Sequence, residues 1–278
     1  MTSLPADQRS VLRHASGKLL VKVSETPSTV AADAMPWRCG PPRACAILPH
    51  MTTSGDSSAS KTALVFGATG LIGSQLLRGL LDSADYARVI AVVRRPLTFN
   101  NPKLTALIGD LDRLLALAAQ LKADEVFIAL GTTRKQTPDE TAYYKIDHDY
   151  PVAAARIARE AGAQAVFLVT AVGADAASGS FYLRTKGETE RDIIALGFPR
   201  TAIFRPSMLI GERSEHRPLE RLFIALAHIV NPLLRGAADR FRGIGAGDVA
   251  LAMIAAARAD APKLQIYHWR EMMALLRR

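Results

Sequence analysis

Cysteine is nearly absent from this chain: of 278 residues only Cys39 and Cys45 are cysteines, and none follows. Disulfides therefore cannot cross-link the long C-terminal body, and a reducing compartment fits, so we expect a cytoplasmic protein. The two cysteines have no ligand cluster beside them and do not make a zinc site, and no metal is expected. Long apolar runs are also missing. None reaches the ~18 uninterrupted residues of a membrane-spanning helix. The best candidate, residues 222–234, is interrupted by Asn231 and Pro232 and reads as a buried or pocket-covering helix. Arg217, Arg221 and Arg235 flank it, which leaves shallow membrane contact as a secondary option. Finally, a net charge of +9 comes without a dense basic stripe, because the 35 Lys and Arg are scattered among 26 Asp and Glu. A solvated basic surface accounts for this charge, and no nucleic-acid partner is expected.

An apolar fraction of 49% with 22% charged residues is ordinary for a globular protein. Residues 1–60 look unlike the rest, mixing Pro36, Pro41, Pro42 and Pro49 with scattered charges and showing no helical period. We expect a disordered leader there, with Met51 as the physiological start. A cleaved targeting peptide is the rival, given Arg9, Arg13, Lys18 and Lys22, but Asp7, Glu25 and the missing apolar segment oppose it. Residues 61–278 read as a single nucleotide-binding domain. Short runs rich in Val, Ile, Leu and Phe predict strands over 62–66, 88–93, 104–108, 125–130, 165–170 and 201–204. Helical patterns over 71–81, 111–121, 139–161 and 181–196 alternate with them. Repeated βα units imply an α/β fold, a Rossmann-like doubly wound parallel sheet with ligands beyond the carboxyl ends of the strands. From residue 207 the pattern loosens into helices over 219–229, 248–257 and 270–276, predicting a small C-terminal helical substrate lobe.

The first strand pattern runs directly into Gly67-Ala-Thr69-Gly70-Leu71-Ile72-Gly73 and then into a helix. A dinucleotide pyrophosphate needs such a turn: Gly67 for the sharp bend, Gly70 for close backbone approach, Gly73 for helix–sheet packing. The G-x-x-G-x-x-G spacing departs from the common dehydrogenase fingerprint, and a ligand-free structural turn is the alternative. The second strand ends at Val93-Arg94-Arg95, with no acid to receive a ribose 2′-hydroxyl. Two guanidinium groups suit a 2′-phosphate, so NADP(H) is favoured over NAD(H), unless the pair merely decorates a solvated turn. Asp110 and Leu111 after the third strand suit the adenine edge, though Asp110 equally suits a helix N-cap. Gly131 and Thr132 follow the fourth strand, where a small residue would let the backbone pass close to a cofactor.

Tyr182 and Lys186 stand four residues apart on a helical pattern and therefore share one face. A lysine beside a phenol lowers its pKa and makes it a usable acid or base for proton transfer at a carbonyl or hydroxyl. Lys186 can also hold a nicotinamide ribose. The alternative is an amphipathic helix with a packed Tyr and a solvated Lys. His148 and His216 are isolated from any nucleophile or ligand set and read as structural.

These landmarks together resemble the short-chain dehydrogenase/reductase superfamily, and in particular its atypical branch of Tat-interacting-protein-like oxidoreductases. The resemblance covers residues 61–278 and rests on Gly67–Gly73, Leu130-Gly-Thr-Thr-Arg134, Tyr182–Glu188 and Phe204–Arg213. It implies a Rossmann-like fold, bound NADP(H), and Arg205 and Pro206 near the nicotinamide. It also implies a carbonyl-polarising Ser at the end of the fifth strand, where this chain has Thr170-Ala171. Thr170 is the candidate hydroxyl, although Ala171 aligns better and has none. The superfamily's helical Asn is replaced, with Asp147 near its place.

Two functions from different classes follow. One is an NADP(H)-dependent oxidoreductase acting on a carbonyl or hydroxyl of a small molecule, with Tyr182 as acid/base, Lys186 as activator and Thr170 as oxyanion donor. The other is an NADPH-binding regulatory or scaffold protein with little turnover, which Ala171 favours. Sugar-nucleotide epimerisation uses the same Tyr/Lys pair, but no feature selects a nucleotide-sugar pocket.

Overall fold

The apolar run after Lys61 forms the central strand β1 (Lys61–Phe66), with Ala63 to Phe66 fully buried, as a strand covered on both faces must be. The computed structural model describes residues 60–210 and 236–277. Around β1 stand β2 (Tyr86–Val93), β3 (Leu104–Ile108), β4 (Glu125–Ile128), β5 (Ala165–Val169) and β6 (Arg200–Phe204). With β9 (Leu264–Tyr267) from near the C-terminus, the seven-stranded sheet has the order β3-β2-β1-β4-β5-β6-β9, every pair parallel. Strand order reverses between β1 and β4, and in such sheets that crevice receives the ligand.

Side chains alternate across the sheet, so each strand feeds two cores. Ala63, Val65, Phe127 and Phe167 face helix α1 (Leu71–Asp82), whose Leu76, Leu77, Leu80 and Leu81 are buried there. Leu64, Phe66, Val126 and Leu168 face the opposite layer, with Ala154, Ala158 and Ile193. Phe127 and Phe167 stack at 4.6 Å between ring centroids, fixing the β4–β5 register in which they are partners. This is the doubly wound α/β fold the βα alternation predicts.

Three local features differ from the sequence pattern, each for a physical reason. Residues Leu111–Gln120 form a 3₁₀ run rather than an α-helix. Leu111, Leu114 and Leu117 are spaced by three, which aligns them on one 3₁₀ face, and all pack on the second core. The single helix expected over 139–161 is α2 (Glu140–Tyr144) and α3 (Tyr150–Glu160), joined by a π-helical turn, Lys145–Asp149. Pro151 lacks the N–H that would bond the carbonyl of Asp147 four residues earlier. The Thr189 hydroxyl donates to that carbonyl instead, at 2.9 Å.

The third difference concerns the C-terminal third. Helix α4 (Phe181–Ala195) is followed, beyond β6, by the short parallel pair β7 (Leu209–Ile210) and β8 (Ile244–Gly245). Helix α5 (Ala246–Arg258) then packs its Val249, Ala250 and Met253 into the core that α1 faces, and β9 (Leu264–Tyr267) joins the sheet beside β6. Helix α6 (Trp269–Leu275) closes that layer with Met272. Residues 246–275 thus add two helices and an edge strand to the sandwich. The sequence pattern hid this because β9 is a short edge strand with Leu264 exposed. The leader with Met51, both cysteines, His216 and the apolar segment 222–234 lie outside the described residues.

Candidate functional site

The turn after β1 is shaped by what its glycines lack. Gly67 adopts φ of +82°, and a Cβ on it would lie 2.4 Å from the Ala129 carbonyl oxygen at the end of β4. A Cβ on Gly73 would lie 2.0 Å from the Gly67 carbonyl oxygen. Both positions therefore exclude any side chain, and together they seat the first turn of α1 directly on the strand turn. The Gly70 N–H donates to the Gly67 carbonyl at 2.9 Å, and Gly70 caps α1 without a side-chain hydrogen bond. The N-terminal amides of α1 are left with no side-chain acceptor, which suits them to an anion.

Beside this turn lies a cavity of about 600 Å³ along the carboxyl edge of the sheet. Gly67, Thr69 and Gly70 line it, with Arg94 after β2, Gly109, Asp110 and Leu111 after β3, and Gly131 and Thr132 after β4. The backbone-shaped floor and this volume fit an extended dinucleotide. Gln136, Thr137, Ile146 and Tyr150 also line it; their isolated positions gave no sequence signal. Of the loop residues assigned to the cofactor, Leu71, Ile72 and Gly73 are not among those lining it; Ile72 is buried in the core. Arg94 lines the cavity and Arg95, although exposed, does not. Asp110 is both a lining residue and an N-cap, accepting from the Asp112 N–H at 3.1 Å. The two readings of Asp110 are compatible.

Next to the Gly131–Thr132 rim stands a buried charged pair. The Thr132 N–H donates to Asp147 Oδ2 at 2.7 Å, while Asp147 Oδ1 meets Lys186 Nζ at 2.6 Å in an ion pair outside hydrogen-bond alignment. Asp147 is 1% exposed and Lys186 7%. Tyr182, one turn earlier on α4, remains 40% exposed. Its phenol lies above the usual tyrosine pKa, through burial first and the Asp147 carboxylate second. The expected activation by Lys186 is therefore not met: the lysine charge is matched by Asp147, and the phenol is shifted upward. Sequence reasoning also missed Gly187, where a Cβ would lie 2.1 Å from the Ala176 backbone nitrogen, so only glycine lets this stretch of α4 pack against the loop after β5. A glycine in a helix interior was the available signal.

The oxyanion role expected of Thr170 is not met either. Its hydroxyl donates to Glu190 Oε1 at 2.6 Å, so its single proton is committed within the protein. Arg205 grips the same carboxylate, from Nε to Oε1 at 3.0 Å and from a terminal nitrogen to Oε2. Arg205 and Pro206 are not among the cavity-lining residues; the Pro206 carbonyl accepts the Val172 N–H at 2.9 Å. His148 is structural, held between Asp149 at 2.8 Å and Asp192 of α4 at 3.0 Å. Among the described residues no group of three or more His, Cys, Asp or Glu could hold a metal, and no helix is long and apolar enough to cross a membrane.

The sequence pattern of a family described as NAD(P)H-binding matches residues 67–219, more than half of the chain. Protein FMP52-1, mitochondrial, of Scheffersomyces stipitis is 34% identical over 78% of this chain and 99% of its own length. Protein FMP52, mitochondrial, of Saccharomyces cerevisiae is 38% identical over 55% of this chain and 68% of its own. Among solved structures, the Bordetella bronchiseptica enzyme WbmH in complex with NAD+ aligns with a TM-score of 0.57 at 16% identity, covering 75% of each chain. MoeE5 in complex with UDP-glucuronic acid and NAD gives 0.56 at 22% identity, covering 74% of this chain and 75% of that one. At such identities these two share the fold. The cytoplasmic expectation is corrected by the relatives, whose names are mitochondrial; cysteine scarcity reports a reducing environment and does not name the compartment. This chain belongs to the NAD(P)H-binding family and is related to the fungal FMP52 proteins.

Proposed function

We propose that the protein is an NADP(H)-dependent oxidoreductase that acts on a carbonyl or hydroxyl group of a small molecule. The observation that carries this reading is a half-exposed tyrosine phenol one helical turn from a buried Lys–Asp pair, itself hydrogen-bonded to the rim of a glycine-floored cavity. When bound, the reduced nicotinamide supplies a hydride to the carbonyl carbon. Tyr182 donates its proton to the carbonyl oxygen as charge develops there, and solvent reprotonates it. Asp147 holds Lys186 in place, and Thr132 fixes Asp147 through its backbone N–H. Gly67, Thr69 and Gly70, with the amides of α1, would hold the pyrophosphate. Asp110 and Leu111 would hold the adenine end. Leu71, Ile72 and Gly73 support this cradle from behind, and Arg205 and Pro206 brace the ends of the neighbouring strands through Tyr267 and Val172. The Tat-interacting-protein-like branch remains the part of the superfamily we assign it to, and the relatives' names favour a mitochondrial location.

Preference for NADP(H) rests on Arg94, which lines the cavity where an acid would select NAD(H). Arg95, on the same turn, adds charge from outside the lining. Arg94→Ala is expected to weaken NADPH binding by about tenfold or more, the loss of a charge-assisted phosphate contact, and to leave NADH binding nearly unchanged. Isothermal titration of both dinucleotides checks this. Equal affinities in the unaltered protein would remove the preference. A specific observation favours the second reading, an NADPH-binding regulator with little turnover: Thr170 is committed to Glu190 and Ala171 has no hydroxyl. Losing one oxyanion donor costs ~10²–10³ in rate.

A further inference from the structure

We infer that Asp147 is a positioning residue that closes Lys186 into a buried ion pair and thereby keeps Tyr182 a proton donor, suiting the site to carbonyl reduction rather than alcohol oxidation. The inference deepens the proposed oxidoreductase reading and rests on Tyr182 being the group that transfers the proton.

The π-helical turn between α2 and α3 is the device. Its extra residue turns two consecutive side chains, Asp147 and His148, toward the same neighbouring helix. His148 reaches Asp192 of α4 and Asp147 reaches Lys186 of α4, so the turn is fastened at two points. Thr189 adds a third through the Asp147 carbonyl. A carboxylate 1% exposed, held by one backbone N–H and one ammonium, has no freedom to swing away. A Cβ on Gly131 would lie 3.4 Å from Asp147 Oδ1 and 3.5 Å from Lys186 Nζ, so the pair sits against the cavity rim.

A carboxylate bears on the Tyr182 phenol, while the cations on its own helix and around the neighbouring Phe181 are each engaged elsewhere. From the π-helical turn comes the Asp147 carboxylate; from α2 comes Tyr143, itself shifted upward by burial and by Asp147. From its own helix comes Lys186, with its charge matched by Asp147. Arg134, from the loop after β4, lies 5.2 Å above the Phe181 ring and is paired with Glu140 at 2.9 Å. Arg184 lies 5.9 Å from the same ring, its guanidinium donating to the Ser178 carbonyl. The cation that would stabilise a phenolate is thus closed off, while an anion faces the phenol. Carbonyl reduction needs the neutral phenol, which is present throughout the neutral range. Alcohol oxidation needs the phenolate, which this arrangement disfavours.

The test is a pH titration of the full chain, without cofactor or substrate, carrying ¹³Cζ-labelled tyrosine and read by NMR. Tyr182→Phe identifies the Tyr182 signal among the six tyrosines. In Asp147→Asn the midpoint of Tyr182 is expected to fall by about 1–3 pH units, because Lys186 regains an uncompensated charge while the Asn carbonyl still accepts from Thr132. In Lys186→Met the midpoint is expected to rise. An unchanged or higher midpoint in Asp147→Asn, or a lower one in Lys186→Met, would overturn the inference, and the second variant decides it where the first does not fold. Since no turnover is measured, the result is separable from that of the Tyr182→Phe kinetics that test the oxidoreductase reading.

Discussion

Gly67→Ala is expected to abolish practical dinucleotide binding, with NADPH affinity lowered on the order of 100-fold or more and the fold retained. Alanine at φ of +82° carries left-handed backbone strain of about 1–2 kcal/mol. The larger effect is steric: the new methyl would sit 2.4 Å from the Ala129 carbonyl oxygen, a backbone atom just past β4 that cannot rotate aside. The turn must open, and the α1 amides move away from the anion they are placed to meet. A 100-fold loss corresponds to about 2.7 kcal/mol, within reach of strain and displacement combined. Gly162→Ala is the control, since Gly162 has φ of +102° but nothing within 4 Å of its added Cβ. That variant should lose some thermal stability and bind NADPH normally. Isothermal titration with thermal melts of both variants separates the general cost of backbone strain from the specific cost at the cradle. Undiminished binding by Gly67→Ala would remove the cradle from the account.

Tyr182→Phe is expected to reduce kcat for NADPH-dependent carbonyl reduction by ~10²–10⁴-fold while leaving the NADPH dissociation constant within about twofold. Tyr182 is not among the cavity-lining residues, so removing its oxygen costs the cofactor little. The side chain is half exposed, so the ring stays in place without a stranded buried polar group. A panel of aldehydes and ketones followed by NADPH consumption supplies the activity to be compared. Retained turnover in the variant would reject Tyr182 as the acid. Absence of turnover in the unaltered protein, with tight NADPH binding, would favour the regulatory reading that the committed Thr170 hydroxyl supports.

The parts legible in the sequence were those where the residue type is dictated by sterics or by burial on both sides. Gly67 and Gly73 are written into the chain because no Cβ fits, and Ala63 to Phe66 because a central parallel strand meets apolar neighbours on each face. The 3₁₀ run and the π-helical turn were not legible, because apolar spacing of three and four overlaps between helix types, and because Pro151 acts through a hydrogen bond from distant Thr189. Site electrostatics were hidden for a related reason. Lys186 is four residues from Tyr182 in sequence, yet its ion-pair partner is Asp147, on another element. Thr170 likewise looks available at a strand end until α4 brings Glu190 to its hydroxyl. Partners supplied by tertiary packing decide what a titratable side chain can do, and local spacing does not reveal them. The C-terminal strand β9 escaped notice because an exposed edge strand of four residues carries little pattern.

The most direct test of the central claim is a crystal structure of the protein grown with NADPH. The dinucleotide is expected across the β1/β4 crevice, with its pyrophosphate on the Gly67–Gly70 turn, its 2′-phosphate toward Arg94, and its nicotinamide within reach of Tyr182. A dinucleotide bound with its nicotinamide remote from Tyr182, or a cavity left empty at saturating NADPH, would contradict that claim.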